Sequence, residues 1–212
     1  MKKRSGQRTL LASMLLSAPG PLVIGAGLFL GRSTTQIADF IRRSAELVAI
    51  IVSWLVYRLL HNSGEPSTVR KEKLERTAKL CVGAAMCLSG LVMIFIALSS
   101  SSGEKGNVIP GLVIAVLGVT TNSWFWLRYR KLNREQPDAI LAVQSQLYFA
   151  KALVDGCVTI ALSVIAAAPQ APISRYVDLV GSLIVALYLL VNGLLTIRGH
   201  NAKSSDSVLQ NK

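Results

Sequence analysis

Two clusters of polar and charged residues lie inside stretches that are otherwise apolar, and they are the residues best suited to chemistry. The first follows spacings of three, one and three residues, which places its members on one stripe of a helix: Asp39, Arg42, Arg43 and Glu46. Such groups can bind an ion, relay a proton or neutralise one another. The spacing allows two ion pairs between residues four positions apart: Asp39 with Arg43, and Arg42 with Glu46.

The second cluster lies about one hundred residues further along and has the same helical periodicity. It contains Gln144, Lys151 and Asp155, and the last two are again four residues apart. A charged group placed in lipid costs about 2.5 to 3.5 kcal/mol even on insertion scales. Both clusters are therefore expected to face the interior of a helix bundle or a water-filled cavity.

The segments that carry these clusters read as membrane helices. Of the 212 residues, 51% are hydrophobic and 16% are charged, whereas a soluble domain has about 25% charged residues. Six stretches approach or exceed the roughly 20 residues that cross a bilayer, at about 9–30, 36–60, 77–98, 108–127, 139–168 and 176–197. Because lipid cannot satisfy open backbone groups, the sequence predicts an all-α fold, a six-helix transmembrane bundle within residues 1–198.

The first stretch allows a second interpretation, because its basic start and short apolar run resemble a secretory signal. The apolar run continues past Pro19-Gly20-Pro21 to Leu30, which favours a membrane helix over a signal. Proline removes a helical hydrogen bond and glycine adds backbone freedom. We therefore expect the first helix to bend or unwind at this tripeptide.

The distribution of lysine and arginine predicts the orientation. With six crossings, seventeen of these residues lie at the termini and the loops on their side, and three lie in the opposite loops. Both termini, including a short tail at 199–212, are therefore predicted to be cytoplasmic, in a multi-pass protein of the cell membrane. The net charge of +12 follows this pattern and does not indicate nucleic-acid binding.

No pattern in the sequence predicts catalysis or a bound cofactor. Neither His61 nor His200 falls inside a predicted span, and the three cysteines lack metal-ligand spacing. The glycines form no phosphate-binding or dinucleotide-binding motif. We expect neither an enzyme nor a metal site built from these residues.

In order and spacing, four segments resemble the cation diffusion facilitators, six-helix antiporters that exchange zinc or related divalent metals for protons. The resemblance covers residues 9–198. In its second helix the family has a motif like S-x-A-L-L-A-D-A-x-H-S-x-x-D-L, and SxxxxADFIRRSAEL at 33–47 keeps that spacing. KLERTA at 73–78 resembles the family's R-x-E-x-x-A, LAVQSQLYFAK at 141–151 its L-x-A-x-x-x-H-x-x-x-D, and DLVGSLIVALYLL from Asp178 its sixth helix.

The resemblance implies a homodimer and a metal site between the second and fifth helices, with four ligand positions that correspond here to Arg42, Glu46, Leu147 and Lys151. Zinc needs about four N, S or O donors, and of these four only Glu46 supplies one. Lys151 and Glu46 are thus predicted to face each other where a metal would bind. Two hypotheses follow. One is a secondary transporter for a cation, or for a solute recognised through Arg and Lys, with a non-standard site. The other is a non-transporting structural or regulatory membrane protein whose charges only hold helices together.

Overall fold

The structure, a computed structural model, describes residues 2–30, 34–62, 67–99, 109–167 and 173–198, and all regular secondary structure in these ranges is α-helix. Seven helices lie in these ranges: α1 (Lys2–Ser17), α2 (Pro19–Leu30), α3 (Thr34–Asn62), α4 (Thr68–Ser99), α5 (Ile109–Glu135), α6 (Ala139–Ala167) and α7 (Ile173–Arg198). This confirms the predicted all-α class.

The first predicted span is divided between α1 and α2, with Ala18 in a turn between them. The amide of Ala18 donates to the carbonyl of Met14 at 3.0 Å, and the next residue, Pro19, has no amide hydrogen to continue that pattern. The predicted interruption of the first helix is therefore confirmed. Two hydroxyl contacts fasten α1 beside the break, from Ser13 to Tyr129 at 2.6 Å and from Ser17 to Tyr148 at 3.1 Å.

Within the described residues, four helical segments are long and apolar enough to cross a membrane: Phe40–His61, Thr68–Leu98, Ala139–Val164 and Leu179–Arg198. They correspond to the second, third, fifth and sixth predicted spans. The first predicted span is the interrupted pair α1 and α2, and the fourth lies on α5, whose middle carries the polar run Thr120-Thr121-Asn122-Ser123. Six crossings therefore stay a prediction.

The α4 helix is the centre of the packing. It lies against α3 and α7 and touches α6, while α5 packs along α6 and the pair α1 and α2 covers α3. Three glycines let α4 and α7 approach closely, and we call them the glycine seam: Gly83, Gly90 and Gly193. A Cβ added to Gly193 would lie 2.8 Å from the carbonyl oxygen of Gly83, so the two backbones are in direct contact.

Candidate functional site

The α3 and α6 helices meet at an ion pair. The ammonium nitrogen Nζ of Lys151 lies 3.4 Å from Oε2 of Glu46, and the side chains are 16% and 7% exposed. The two residues are more than one hundred positions apart, so only the packing of α3 against α6 brings them together. The predicted juxtaposition of Glu46 and Lys151 is confirmed.

A third helix contributes to the same pair. The hydroxyl of Ser89 on α4 donates to Oε1 of Glu46 at 2.9 Å. Each oxygen of this buried carboxylate thus has a partner from a different helix, and such partners offset the cost of removing the charge from water. Lys151 also lies over the ring of Tyr148, 5.2 Å from its centroid, which gives the ammonium a second favourable contact.

Asp155 lies one turn beyond Lys151 and contacts α5. The amide nitrogen Nδ2 of Asn122 donates to its Oδ2 at 2.6 Å. A Cβ added to Gly118 would lie 2.5 Å from the same oxygen, so this part of α5 has room for the carboxylate only because residue 118 is glycine. The four-residue spacing offered Lys151 as an alternative partner of Asp155, and Asn122 was not predicted. A polar run inside a predicted span, at 120–123, was the signal that could have found it.

The two arginines of the first cluster line the same region. Arg42 and Arg43 are half-buried and close enough to Glu46 and Asp155 to interact with both electrostatically. Arg43 also approaches the break in the first span, because its Nη1 lies 3.6 Å from the position of a Cβ on Gly20. The side chain of Asp39 lies outside the described residues, so its predicted pairing with Arg43 stays a prediction.

The remaining predicted residue, Gln144, lies apart from these groups. Its side chain is fully buried, and among the described residues neither of its amide atoms has a hydrogen-bond partner. It is not one of the residues around the cavity described next. The structure therefore separates Gln144 from Lys151 and Asp155, although all three lie on α6.

A cavity of about 430 Å³ joins the predicted site residues. Its walls come from the break between α1 and α2, from α3, and from the facing sides of α5 and α6. Five charged side chains line it: Arg42, Arg43, Glu46, Lys151 and Asp155. The rest of the lining is mainly apolar, and the polar members include Ser17, Thr121 and Asn122. The cavity thus combines fixed charges of both signs with an apolar wall.

A known protein family matches most of the chain. The model of the cation efflux transmembrane domain matches residues 10–200 of the chain. The chain belongs to the cation efflux family. A search of curated proteins gives no significant match to this chain.

Among its described residues, the cavity of this cation efflux protein shows no group of donors that fits a zinc site. In the described part of the chain, no three residues among His, Cys, Asp and Glu come together as a metal-binding group. Of the four positions that correspond to the family's ligands, Arg42 and Lys151 bear positive charge and Leu147 is apolar. A zinc site requires about four N, S or O donors, so these residues do not fit one.

The first prediction concerns this donor set. Zn²⁺, Cd²⁺ and Mn²⁺ should not bind the purified protein with the affinity of a four-ligand site, because Lys151 already lies on the carboxylate of Glu46. Two unit charges about 4 Å apart repel by roughly 4 kcal/mol at an effective dielectric constant of 20. Isothermal titration in detergent micelles measures the binding, with Glu75→Gln as an acid-to-amide control outside the cavity. Tight stoichiometric binding that disappears in Glu46→Gln would contradict the prediction.

Proposed function

We propose that this cation efflux protein is a secondary transporter that moves a small cation, or a solute carrying a cationic group, in exchange for protons. The observation that carries the proposal is the cavity between α3, α5 and α6, which holds the carboxylates of Glu46 and Asp155. Membership of the cation efflux family supports it. Charged residues inside membrane segments are costly and mark substrate pathways more often than they serve stability.

The interrupted first span supports an alternating-access mechanism. Discontinuous helices flank the substrate site in many transporters, and alternating access moves one group of helices against another. Here the break lines the cavity through Gly20 and Pro21, and it lies against Arg43. In our proposal α2 moves at this break and opens the cavity to one side of the membrane.

The proposal includes the setting predicted from the sequence. We place the protein in the cell membrane as a homodimer, with six crossings, both termini in the cytoplasm and the tail at 199–212 on that side. The excess of lysine and arginine at the termini and in two loops supports this orientation.

Flux in proteoliposomes tests the function. Protein is reconstituted with a pH-sensitive dye inside the vesicles, a pH gradient is imposed, and monovalent cations, divalent metals, small amines and amino acids are added in turn. We expect at least one of them to drive proton movement that protein-free vesicles lack. Asp155→Asn should lower the initial rate at least tenfold, because it removes a carboxylate from the cavity. Glu75→Gln, an acid-to-amide change at a half-buried position of α4 outside the cavity, should keep the wild-type rate.

A second candidate function is a non-transporting structural or regulatory membrane protein. The observation that favours it is the internal neutralisation of Glu46, whose two oxygens are held by Lys151 and Ser89 without an ion. Under this alternative no solute produces flux in the wild type. Folded reconstituted protein that moves none of the four classes of solute would overturn the transporter proposal.

A further inference from the structure

The size of the cavity indicates an organic ligand. A dehydrated metal ion needs a tight shell of donor atoms at about 2.0 to 2.6 Å, whereas pockets for small organic molecules enclose about 300 to 1,000 Å³. The cavity here has about 430 Å³. Its lining includes a run of branched aliphatic side chains on α6, Val154, Val158 and Leu162, and the ring of Phe125 on α5. A ligand with an apolar body fits such a wall better than an ion does.

Both walls of the cavity carry charges of each sign, and Glu46 on α3 and Lys151 on α6 are already paired with each other. The guanidinium of Arg43 lies beside Gly20, on the side formed by α2 and α3. The carboxylate of Asp155 lies beside Gly118 and Asn122, on the side formed by α5 and α6. The two groups are close enough to interact electrostatically. One small molecule in the cavity can therefore reach the guanidinium on one wall and the carboxylate on the other.

The other acid of the described lining is differently placed. Glu46 already receives the ammonium of Lys151 and the hydroxyl of Ser89. Counting the described side chains of the lining, three are cationic and two are anionic. A ligand with only a positive charge would meet the excess of positive groups, and a ligand with only a negative charge would meet Asp155.

We infer that the cavity binds a small zwitterion, with its acid group on Arg42 and Arg43, its ammonium group on Asp155, and an apolar body along α6. Arginine binds carboxylates through two parallel hydrogen bonds, and a carboxylate is the natural partner of an ammonium group. On binding, the charged groups of the ligand replace contacts that Arg42, Arg43 and Asp155 make within the protein. The inference rests on the proposed function, since it takes the cavity to be the transport site and names the substrate class.

A matched series of ligands tests the inference on the unaltered protein. Leucine carries both groups, 3-methylbutylamine has the same branched skeleton without the carboxylate, and 4-methylpentanoate has it without the ammonium group. Binding is measured by isothermal titration in detergent micelles and by the shift of the thermal unfolding midpoint. We expect leucine to bind and to raise the midpoint, and each single-charge analogue to bind at least tenfold more weakly.

Two variants and their controls locate the binding. Asp155→Asn and Arg43→Gln should each weaken leucine binding at least tenfold, and the changes Glu75→Gln and Arg76→Gln, both outside the cavity, should leave it unaltered. Should a cavity variant fail to fold, the comparison of the three ligands on the wild type still decides. Equal or tighter binding of the amine or of the acid, or no binding of leucine, would overturn the inference. Cation-driven flux in the proteoliposome assay, measured separately, would in that case leave the proposed function standing.

Discussion

Replacing Lys151 by methionine should lower the free energy of unfolding by about 3 to 5 kcal/mol, because it leaves the buried carboxylate of Glu46 without its cation. The two atoms are 3.4 Å apart and both side chains are largely buried, so water cannot fully replace the lost partner. Glu46→Gln should cost a similar amount for the opposite reason, since the ammonium is then uncompensated. Unfolding by a denaturing detergent, followed by circular dichroism, measures both changes.

The double variant separates a direct pair from two independent charges. Glu46→Gln combined with Lys151→Met removes both charges, so much of the loss should be recovered and the coupling energy should be large. Lys71→Met combined with Glu75→Gln provides the control, because these groups are 4.0 Å apart with Lys71 61% and Glu75 23% exposed, and surface pairs contribute about 0 to 1 kcal/mol. Additive losses at Glu46 and Lys151, with coupling near zero, would show that each charge is stabilised by other groups.

Replacing Gly193 by alanine should also destabilise the protein, by about 1 to 3 kcal/mol as for other overpacked positions. The added Cβ would lie 2.6 Å from Sγ of Cys87 and 2.8 Å from the carbonyl oxygen of Gly83. The cysteine can turn away, but the second atom is backbone, so α4 and α7 would have to separate. Detergent-driven unfolding measures the loss of stability.

Gly156→Ala is the matched control for this change. Gly156 is also a helical glycine of a predicted span, and a Cβ placed there would meet no atom within 4 Å. Since alanine has the higher helix propensity, this variant should be as stable as the wild type or slightly more so. Equal losses at Gly156 and Gly193 would mean that backbone flexibility, and not close contact in the glycine seam, explains the effect.

Much of the fold follows from the sequence because long apolar segments in lipid have few alternatives to helices. The break before Pro19 was also predictable, because proline lacks the amide hydrogen that would continue the hydrogen-bond pattern of a helix. Helix ends outside the apolar stretches were less predictable. The α4 helix begins at Thr68, well before the predicted boundary at 77, because its polar first turns are rich in good helix formers.

The candidate site was predictable where residues share a periodic pattern and not where they act singly. The spacing of charges on two segments, together with the family resemblance, placed Glu46 opposite Lys151. Ser89 and Asn122 were missed, because a lone hydroxyl or amide on a helix gives no periodic signal and its partner depends on how the helices are rotated. The burial of Gln144 away from the cavity has the same origin, since its rotation about α6 is set by packing.

The glycine seam has a mechanical consequence. The backbones of α4 and α7 touch at Gly83 and Gly193. Because sliding one helix along the other would bring side chains into these contacts, we expect the pair to move as one rigid rod. The more compliant part of the molecule is then the interrupted first span, where prolines break the hydrogen-bond ladder. Ser89 on the rod holds Oε1 of Glu46 on α3 at 2.9 Å, and any tilt of α3 against the rod stretches that bond. This hydrogen bond therefore couples the position of α3 to the paired helices α4 and α7.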